Sequence, residues 1–365
     1  MPEPVLPDYG GACIDSLAPA LLRWRRPAPA WLPEPARDAR QIVLLVLDGL
    51  GWEQLERWAA AAPVMAGMTG GPITSVAPTT TAAALTSIST GRPPAEHGVV
   101  GYRVHVGEGR VMNVLQWRTA EGDAREAVPP TAFQPLAVFD GAAPPVVTRA
   151  AFAATGFTEA HLGGVRLHGW GTPSSLVVEV RALLAAGEPF VYAYYDGIDK
   201  VAHEYGLDVH YEAELRYADR LVGDLLSELP DGAALVLTSD HGQVDVGERI
   251  VPLAPEVAAD TAFVSGEGRF RWLHAVPGAA DRLAAAAAEA HGNVAWVRSR
   301  DQVLEEGWLG GRLRPGVVER LGDVALAARE PISFLDPADH GWRAVLRSRH
   351  GSVTAAEMLV PLLAG

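Results

Sequence analysis

Cysteine, lysine and long apolar runs are scarce in this 365-residue chain, and each shortage removes a class of function. The single cysteine, Cys13, can neither close a disulfide within the chain nor build a thiolate cage. Any metal must therefore be held by His, Asp, Glu or hydroxyl groups. No stretch reaches the roughly 18 apolar residues of a membrane span, and the N-terminal residues lack a positive segment followed by a long apolar one. These features predict a cytoplasmic protein with no membrane partner. Positive charge is short as well: 30 Lys and Arg against 44 Asp and Glu leave a net −14. That balance is wrong for a protein whose affinity rests on the phosphates of a nucleic acid polymer. A small anionic substrate would need positive charge gathered locally.

What is present is globular. Apolar residues make up 48% and charged residues 20%, which excludes disordered, collagen-like and coiled-coil chains. Residues 1–40 are proline-rich, with arginines at Arg23, Arg25 and Arg26, and read as a wrapping arm. The run Ile42 to Leu47 is six apolar residues stopped by Asp48-Gly49, the pattern of a strand buried on both faces in a parallel sheet. Phe190 to Tyr195 ends likewise at Asp196-Gly197, and Ala233 to Leu237 leads into Asp240-His241-Gly242. Helical stretches around 173–186 and 208–229 separate these strands. The alternation predicts an α/β fold with a mostly parallel central sheet and helices on both faces. Residues 259–330 change in texture and read as a small α+β insertion, so that 41–258 and 331–365 would form the main domain.

In open parallel sheets, ligands gather beyond the carboxyl ends of the strands. Asp48, Asp196 with Asp199, and Asp240 with His241 all fall there. One such Asp is an ordinary cap or turn residue, whereas three strand ends together suggest a site. Asp199 and His203, four apart, can share one face of a helix and grip one ion. Several carboxylates and imidazoles without sulfur suit a hydrolytic pair of zinc, manganese or iron ions better than a structural zinc. A nucleophile for such a site is offered by the hydroxyl run Thr79 to Thr81, which opens a helix-like stretch ending at Gly91. A hydroxyl at a helix N-terminus faces unpaired N–H groups that suit a phosphate. The same three threonines could equally serve as helix caps, and Thr79 reads mainly as one.

The ordered set Leu47-Asp48-Gly49, Pro78 to Thr81, Thr90-Gly91-Arg92 with Pro94 and His97-Gly98, Asp199 with His203, Asp240-His241-Gly242 and late His350-Gly351 resembles the alkaline phosphatase superfamily. Within it the likeness is to the nucleotide pyrophosphatase/phosphodiesterase branch. The resemblance implies an alkaline phosphatase-like fold and two zinc ions, with Mn2+ or another divalent metal as substitutes. One ion would rest on Asp199, His203 and His350, the other on Asp48, Asp240 and His241 with Thr81 touching it. Thr81 would attack phosphorus to form a phospho-threonine that a water then hydrolyses. Thr80 is the alternative nucleophile. His340, in a second Asp-His-Gly tripeptide, rivals His350. His97 and Asp196 match positions expected to support rather than ligate. The family pattern places an asparagine where this chain has Ala84, so a phosphoryl donor must come from elsewhere, Arg103 and Arg166 being candidates.

The implied substrate is a small phosphate ester, a nucleotide among the candidates. With few cations in the matched motifs, a diester is expected over a monoester, its second ester group lying against an apolar wall from Val100 to Tyr102 or from the insertion. The alternatives are a phosphomonoesterase or phosphonate hydrolase of the same fold, or a metal-stabilised binding protein without catalysis. His105, His161, His168, His210, His274 and His291 belong to no motif and read as surface or packing residues.

Overall fold

The computed structural model describes residues 3–22, 27–335 and 346–365. Its centre is a seven-stranded sheet made of β1 (Gln41–Leu47), β2 (Thr69–Thr74), β3 (Pro145–Arg149), β4 (Arg166–Trp170), β5 (Phe190–Tyr195), β6 (Ala233–Thr238) and, after four strands of another sheet, β11 (Leu359–Ala364). The order is β2-β11-β6-β1-β5-β3-β4. Strands β6, β1, β5, β3 and β4 run parallel, and β11 runs antiparallel between β6 and β2.

The apolar run of β1 accounts for its central place. Ile42, Leu44 and Val46 enter one core, Val43, Leu45 and Leu47 the other, because successive side chains leave opposite faces of a strand. Helices cover both faces. Helix α1 (Thr81–Thr90) buries Ala83, Ala84 and Ile88 on the first. On the second lie α2 (Pro173–Ala185) and α4 (Val209–Ser227), and α4 buries Tyr211, Leu215, Ala218, Val222 and Leu225 at helical spacing. Between them, α3 (Gly197–Tyr205) follows β5 directly.

A second, antiparallel sheet holds β7 (Thr261–Glu267), β8 (Phe270–Ala275), β9 (Ala295–Ser299) and β10 (Val324–Ala328) in the order β7-β8-β10-β9. Helix α5 (Ala280–His291) packs on it through Leu283 and Ala287. Residues before β1 are more than a wrapping arm. Cys13, Ile14 and Leu17 are fully buried, in the same core as α1. Among the described residues no helix is long and apolar enough to cross a membrane.

Candidate metal centre

Strands β5, β1 and β6 are neighbours in parallel register, so their carboxyl ends open on one side and bring α3, Asp48 and the Asp240-His241 loop together. The loops are tightly nested. Asp199 donates its N–H to the Asp48 carbonyl at 3.1 Å. Gly49 turns with φ +78°, and a Cβ there would stand 2.9 Å from the Asp199 Cβ, which is why glycine follows the aspartate.

Each inner carboxylate has one oxygen engaged and one left over. Asp48 Oδ2 accepts from the Tyr194 hydroxyl. Asp240 Oδ1 accepts from the Gly49 and His241 N–H groups, both at 3.1 Å. Asp48 Oδ1 and Asp240 Oδ2 are buried without hydrogen-bond partners, and each lies 3.4 Å from His241 Nε2. His241 Nδ1 faces the Gly242 carbonyl at 3.1 Å, and a carbonyl can only accept. The proton of the neutral ring therefore belongs on Nδ1, and Nε2 offers a lone pair. Three acceptor atoms converge, two of them carboxylate oxygens with no hydrogen-bond donor, an arrangement that a buried cation satisfies.

The outer residues follow the same rule. His203 Nδ1 lies 2.6 Å from the Ser348 carbonyl and His350 Nδ1 2.8 Å from the Thr79 carbonyl. Their Nε2 atoms lie 3.3 and 3.8 Å from Asp199 Oδ1, to which the Gln243 amide also donates. His350 stacks on His241 with ring centres 3.5 Å apart. Two sets of donor atoms are mutually close enough to share an ion: Asp48, Asp240 and His241, and Asp199, His241 and His350. His241 thus stands in both, while His203 joins through Asp199. The donor set, oxygen and nitrogen only, suits a divalent metal.

Electrostatics agree. Burial, then the Asp240 and Asp199 charges, push the Asp48 carboxyl well above its ordinary range, and burial also raises Asp240. Burial and the neighbouring His241 and His203 rings depress His350 well below its usual value.

Thr81 opens α1, its Oγ1 3.1 Å from His241 Nε2. Thr80 is the N-cap, its hydroxyl accepting from the Ala83 N–H at 3.3 Å. Thr79 is not a cap. Its hydroxyl donates to the Ser352 carbonyl at 2.7 Å and accepts from the Gly351 N–H at 3.0 Å, so it straps the His350 segment to the start of α1.

A cavity of about 850 Å3 opens over Thr80, Thr81, Asp199, His203 and His350. Ala84 packs into the core and is not among the residues lining the cavity. Tyr102, from one of the two stretches expected to supply an apolar wall, lines it together with Leu115, and the second sheet adds Gly266, Glu267, Gly268 and Arg271. Arg103 lines the cavity together with Tyr102 and Arg349, whereas Arg166 pairs with Glu188 at 2.6 and 2.7 Å elsewhere.

His97 is fully buried, donating to Ser87 at 2.9 Å and accepting from the Val99 N–H at 3.0 Å; burial lowers its pKa to about 3. Asp196 is bracketed by Arg149 at 2.7 Å and Lys200 at 2.5 Å. Neither joins the donor sets. His161 stacks on Phe157, His274 on Phe263 and His210 on Tyr205; His105 packs against Phe263, His168 faces Glu179, and His291 meets Phe334. His340 lies outside the described residues. Sequence reasoning missed Tyr194 and Gln243. Gln243 follows the Asp240-His241-Gly242 motif directly, whereas the alternation of β5 carries no sign that a buried tyrosine hydroxyl serves a carboxylate.

The sequence profile of the family type I phosphodiesterase / nucleotide pyrophosphatase matches residues 42–181 and 174–353. The fold is similar to that of murine ectonucleotide pyrophosphatase / phosphodiesterase 5 (16% identity, TM-score 0.64, covering 88% of this chain and 87% of that one). An inactive form of the murine protein in complex with AMP is similar at 15% identity and TM-score 0.64, covering 88% and 87%. Phosphonoacetate hydrolase from Sinorhizobium meliloti 1021, in complex with phosphonoacetate, is similar at 18% identity and TM-score 0.64, covering 90% of each chain. A search of curated proteins finds no match. With most of its length matched by the profile, this chain belongs to the type I phosphodiesterase / nucleotide pyrophosphatase family of the alkaline phosphatase superfamily, a group of metal-dependent hydrolases.

Proposed function

We propose that this protein is a phosphodiesterase that hydrolyses small phosphate esters, nucleotides among them, through a phospho-threonine on Thr81. The observation that carries the reading is the Thr81 hydroxyl, 3.1 Å from His241 Nε2, at the start of α1 and open to the cavity. Asp48, Asp240, His241 and Thr81 would hold one zinc ion, and Asp199, His203 and His350 a second, with Mn2+ as a substitute. Bound there, divalent cations supply the charge that makes a threonine hydroxyl and a water nucleophilic near neutral pH and that offsets the charge of the phosphoryl oxygens.

The chain's own residues do the rest. The start of α1, the positive end of its dipole, would lie toward the phosphoryl group. Thr81 Oγ forms a bond to phosphorus as the bond to the leaving oxygen breaks, and that oxygen departs with a proton. Water then attacks the same phosphorus, and the phosphorus–Oγ bond breaks to restore the hydroxyl. The nested loops keep Asp48 and Asp240 dry, so their charge is spent inside the site rather than on solvent.

A phosphonate hydrolase is the second reading, favoured by Arg103, Lys200, Arg271 and Arg349 on the cavity wall, groups suited to a substrate with a further anionic end. Turnover of bis(p-nitrophenyl) phosphate, p-nitrophenyl phosphate and phosphonoacetate by zinc-loaded protein separates the readings. Mass spectrometry of acid-quenched enzyme tests the intermediate. Turnover of a diester with no phosphoryl adduct on Thr81, in a protein whose Thr81→Ala form is fully active, sinks the mechanism.

A further inference from the structure

Arg269 and Glu357 form an ion pair with no exposure of either side chain. Arg269 Nε meets Glu357 Oε1 at 2.8 Å and Nη2 meets Oε2 at 2.9 Å, a two-pronged geometry that fixes both groups. Arg269 belongs to the tight turn between β7 and β8, far in sequence from any metal-binding motif. Its remaining donors are also committed, Nη1 to the Glu330 and Ile332 carbonyls at 2.9 and 2.8 Å and Nη2 to the Ala328 carbonyl at 3.3 Å.

Glu357 is where three parts of the molecule meet. Its Oε1 also accepts from the Ser352 N–H at 2.9 Å, and its Oε2 from the Thr354 hydroxyl at 2.5 Å. Ser352 stands two residues after His350, and the far side of that short segment is held by Thr79. The Glu357 carbonyl accepts from the Gly242 N–H at 2.9 Å, one residue after His241. One carboxylate and its own carbonyl therefore bear on the segments that carry both stacked imidazoles, His350 and His241.

We propose that the Arg269–Glu357 pair is a positioning device for the metal centre, through which the second sheet sets the spacing of the two imidazoles. A buried ion pair is a poor source of net stability, because desolvation of both charges offsets their attraction, and an apolar pair of similar volume often folds as well. Its worth here lies in direction: a carboxylate aligned by an arginine fork pins the Ser352 N–H, where an apolar side chain cannot. Neither residue touches substrate. The inference rests on the proposed metal centre and concerns affinity for the ions rather than the identity of the ester.

The test compares the parent protein with Arg269→Met/Glu357→Leu, stripped of metal and titrated with Co2+ while visible absorption and thermal midpoint are followed. Because the buried Ser352 N–H and the carbonyls bound by Arg269 lose their partners, the metal-free midpoint of the double variant falls; at a temperature where it is folded it is expected to bind Co2+ about 10–100-fold more weakly than the parent, the range for loss of groups that orient ligands, and to change the ligand-field bands. Removal of the exposed pair Arg282 and Asp260, a fork of the same reach at 2.7 Å on the rim of the second sheet, should change none of these. If the double variant does not fold, Arg269→Lys, which keeps the charge and loses the fork, is scored for the same affinity and bands. Parent-like Co2+ affinity and spectrum in the scored variant overturn the proposal. A parent protein that binds no Co2+ overturns the metal centre itself, an outcome distinct from the first.

Discussion

The two halves of the candidate centre are built by different means. Asp48, Asp240 and His241 stand within three residues of the ends of adjacent parallel strands, and their side chains are 4%, 0% and 0% exposed. The pairing of β1 with β6 brings these segments side by side. Asp199, His203 and His350 come from a helix and a segment near the C-terminal end, at 15%, 20% and 8% exposure. What holds them is a set of straps: the Thr79 and Ser348 carbonyls on two imidazoles, Gln243 on the carboxylate, and Glu357 behind His350. The inner half is a product of the sheet, whereas the outer half depends on single hydrogen bonds that a substitution can loosen without unfolding anything.

Thr81→Ala is the sharpest cut between the halves. It should lower turnover by several orders of magnitude with metal content unchanged, because the hydroxyl does the chemistry while the ligands remain. Steady-state rates and elemental analysis on one preparation check both parts, and near-normal turnover would remove Thr81 from its role.

His241→Ala tests the sharing of one imidazole by both donor sets. It should cost occupancy in both halves, while His203→Ala should cost only the outer ion. Equal stoichiometries in the two variants would erase the asymmetry.

One step outward, Tyr194→Phe frees Asp48 Oδ2 and Gln243→Leu frees Asp199. Each should weaken metal binding by about 10–100-fold, the usual cost of losing a group that orients a ligand. The Tyr194 change should act on the inner ion and the Gln243 change on the outer one, as competition with a chromophoric chelator can resolve.

A slower signature comes from pH. The folded-state pKa values of Asp48 and Asp240 lie above their ordinary 3.8, so in metal-free protein their contribution is fully present below that value and is lost as pH rises through the folded values. Metal-free protein should therefore lose thermal stability above about pH 4, from this source, and added Zn2+ should flatten the slope. A slope that zinc leaves unchanged would assign the pH dependence to groups outside the centre.

The smallest effects separate two neighbouring threonines. Thr80→Ala removes a cap and should cost about 1 kcal/mol of stability. Thr79→Ala leaves the Gly351 N–H without its buried partner and should cost about 1–3 kcal/mol, with metal affinity falling as well because His350 is on the same segment. Chemical denaturation of both variants, with and without zinc, ranks them.

Most of the inner half was legible in the chain because its cause is local. An apolar run stopped by Asp-Gly is both a strand and its own end, and two such runs in a parallel sheet place their aspartates side by side. In the outer half Asp199 and His203 were legible from their spacing of four, but His350 only through resemblance, since nothing in the residues around it says that a loop that late in the chain returns to α3. Thr79 was misread as a cap because three consecutive threonines look alike until the backbone chooses which of them has extended φ and ψ before the first helical residue. The insertion was a candidate wall for the substrate from its texture alone, but that Glu267 and Arg271 would be the residues to reach the cavity had no signal. That Ala84 turns into the core was not legible either, because helical direction is settled by packing.

The sequence by itself determined the elements and the chemistry on offer: buried parallel strands from β-rich apolar runs, oxygen and nitrogen ligands in place of sulfur, and hydroxyls ahead of a helix. Those are properties of short segments, and short segments carry them wherever they fold. Tertiary structure alone decided which hydroxyl faces His241, that one imidazole stands in two donor sets, that Glu267 and Arg271 of the second sheet reach the cavity, and that an arginine from a different sheet steadies His350. Each of these depends on contacts between residues tens to hundreds of positions apart, and their positions are set by how whole sheets and helices pack.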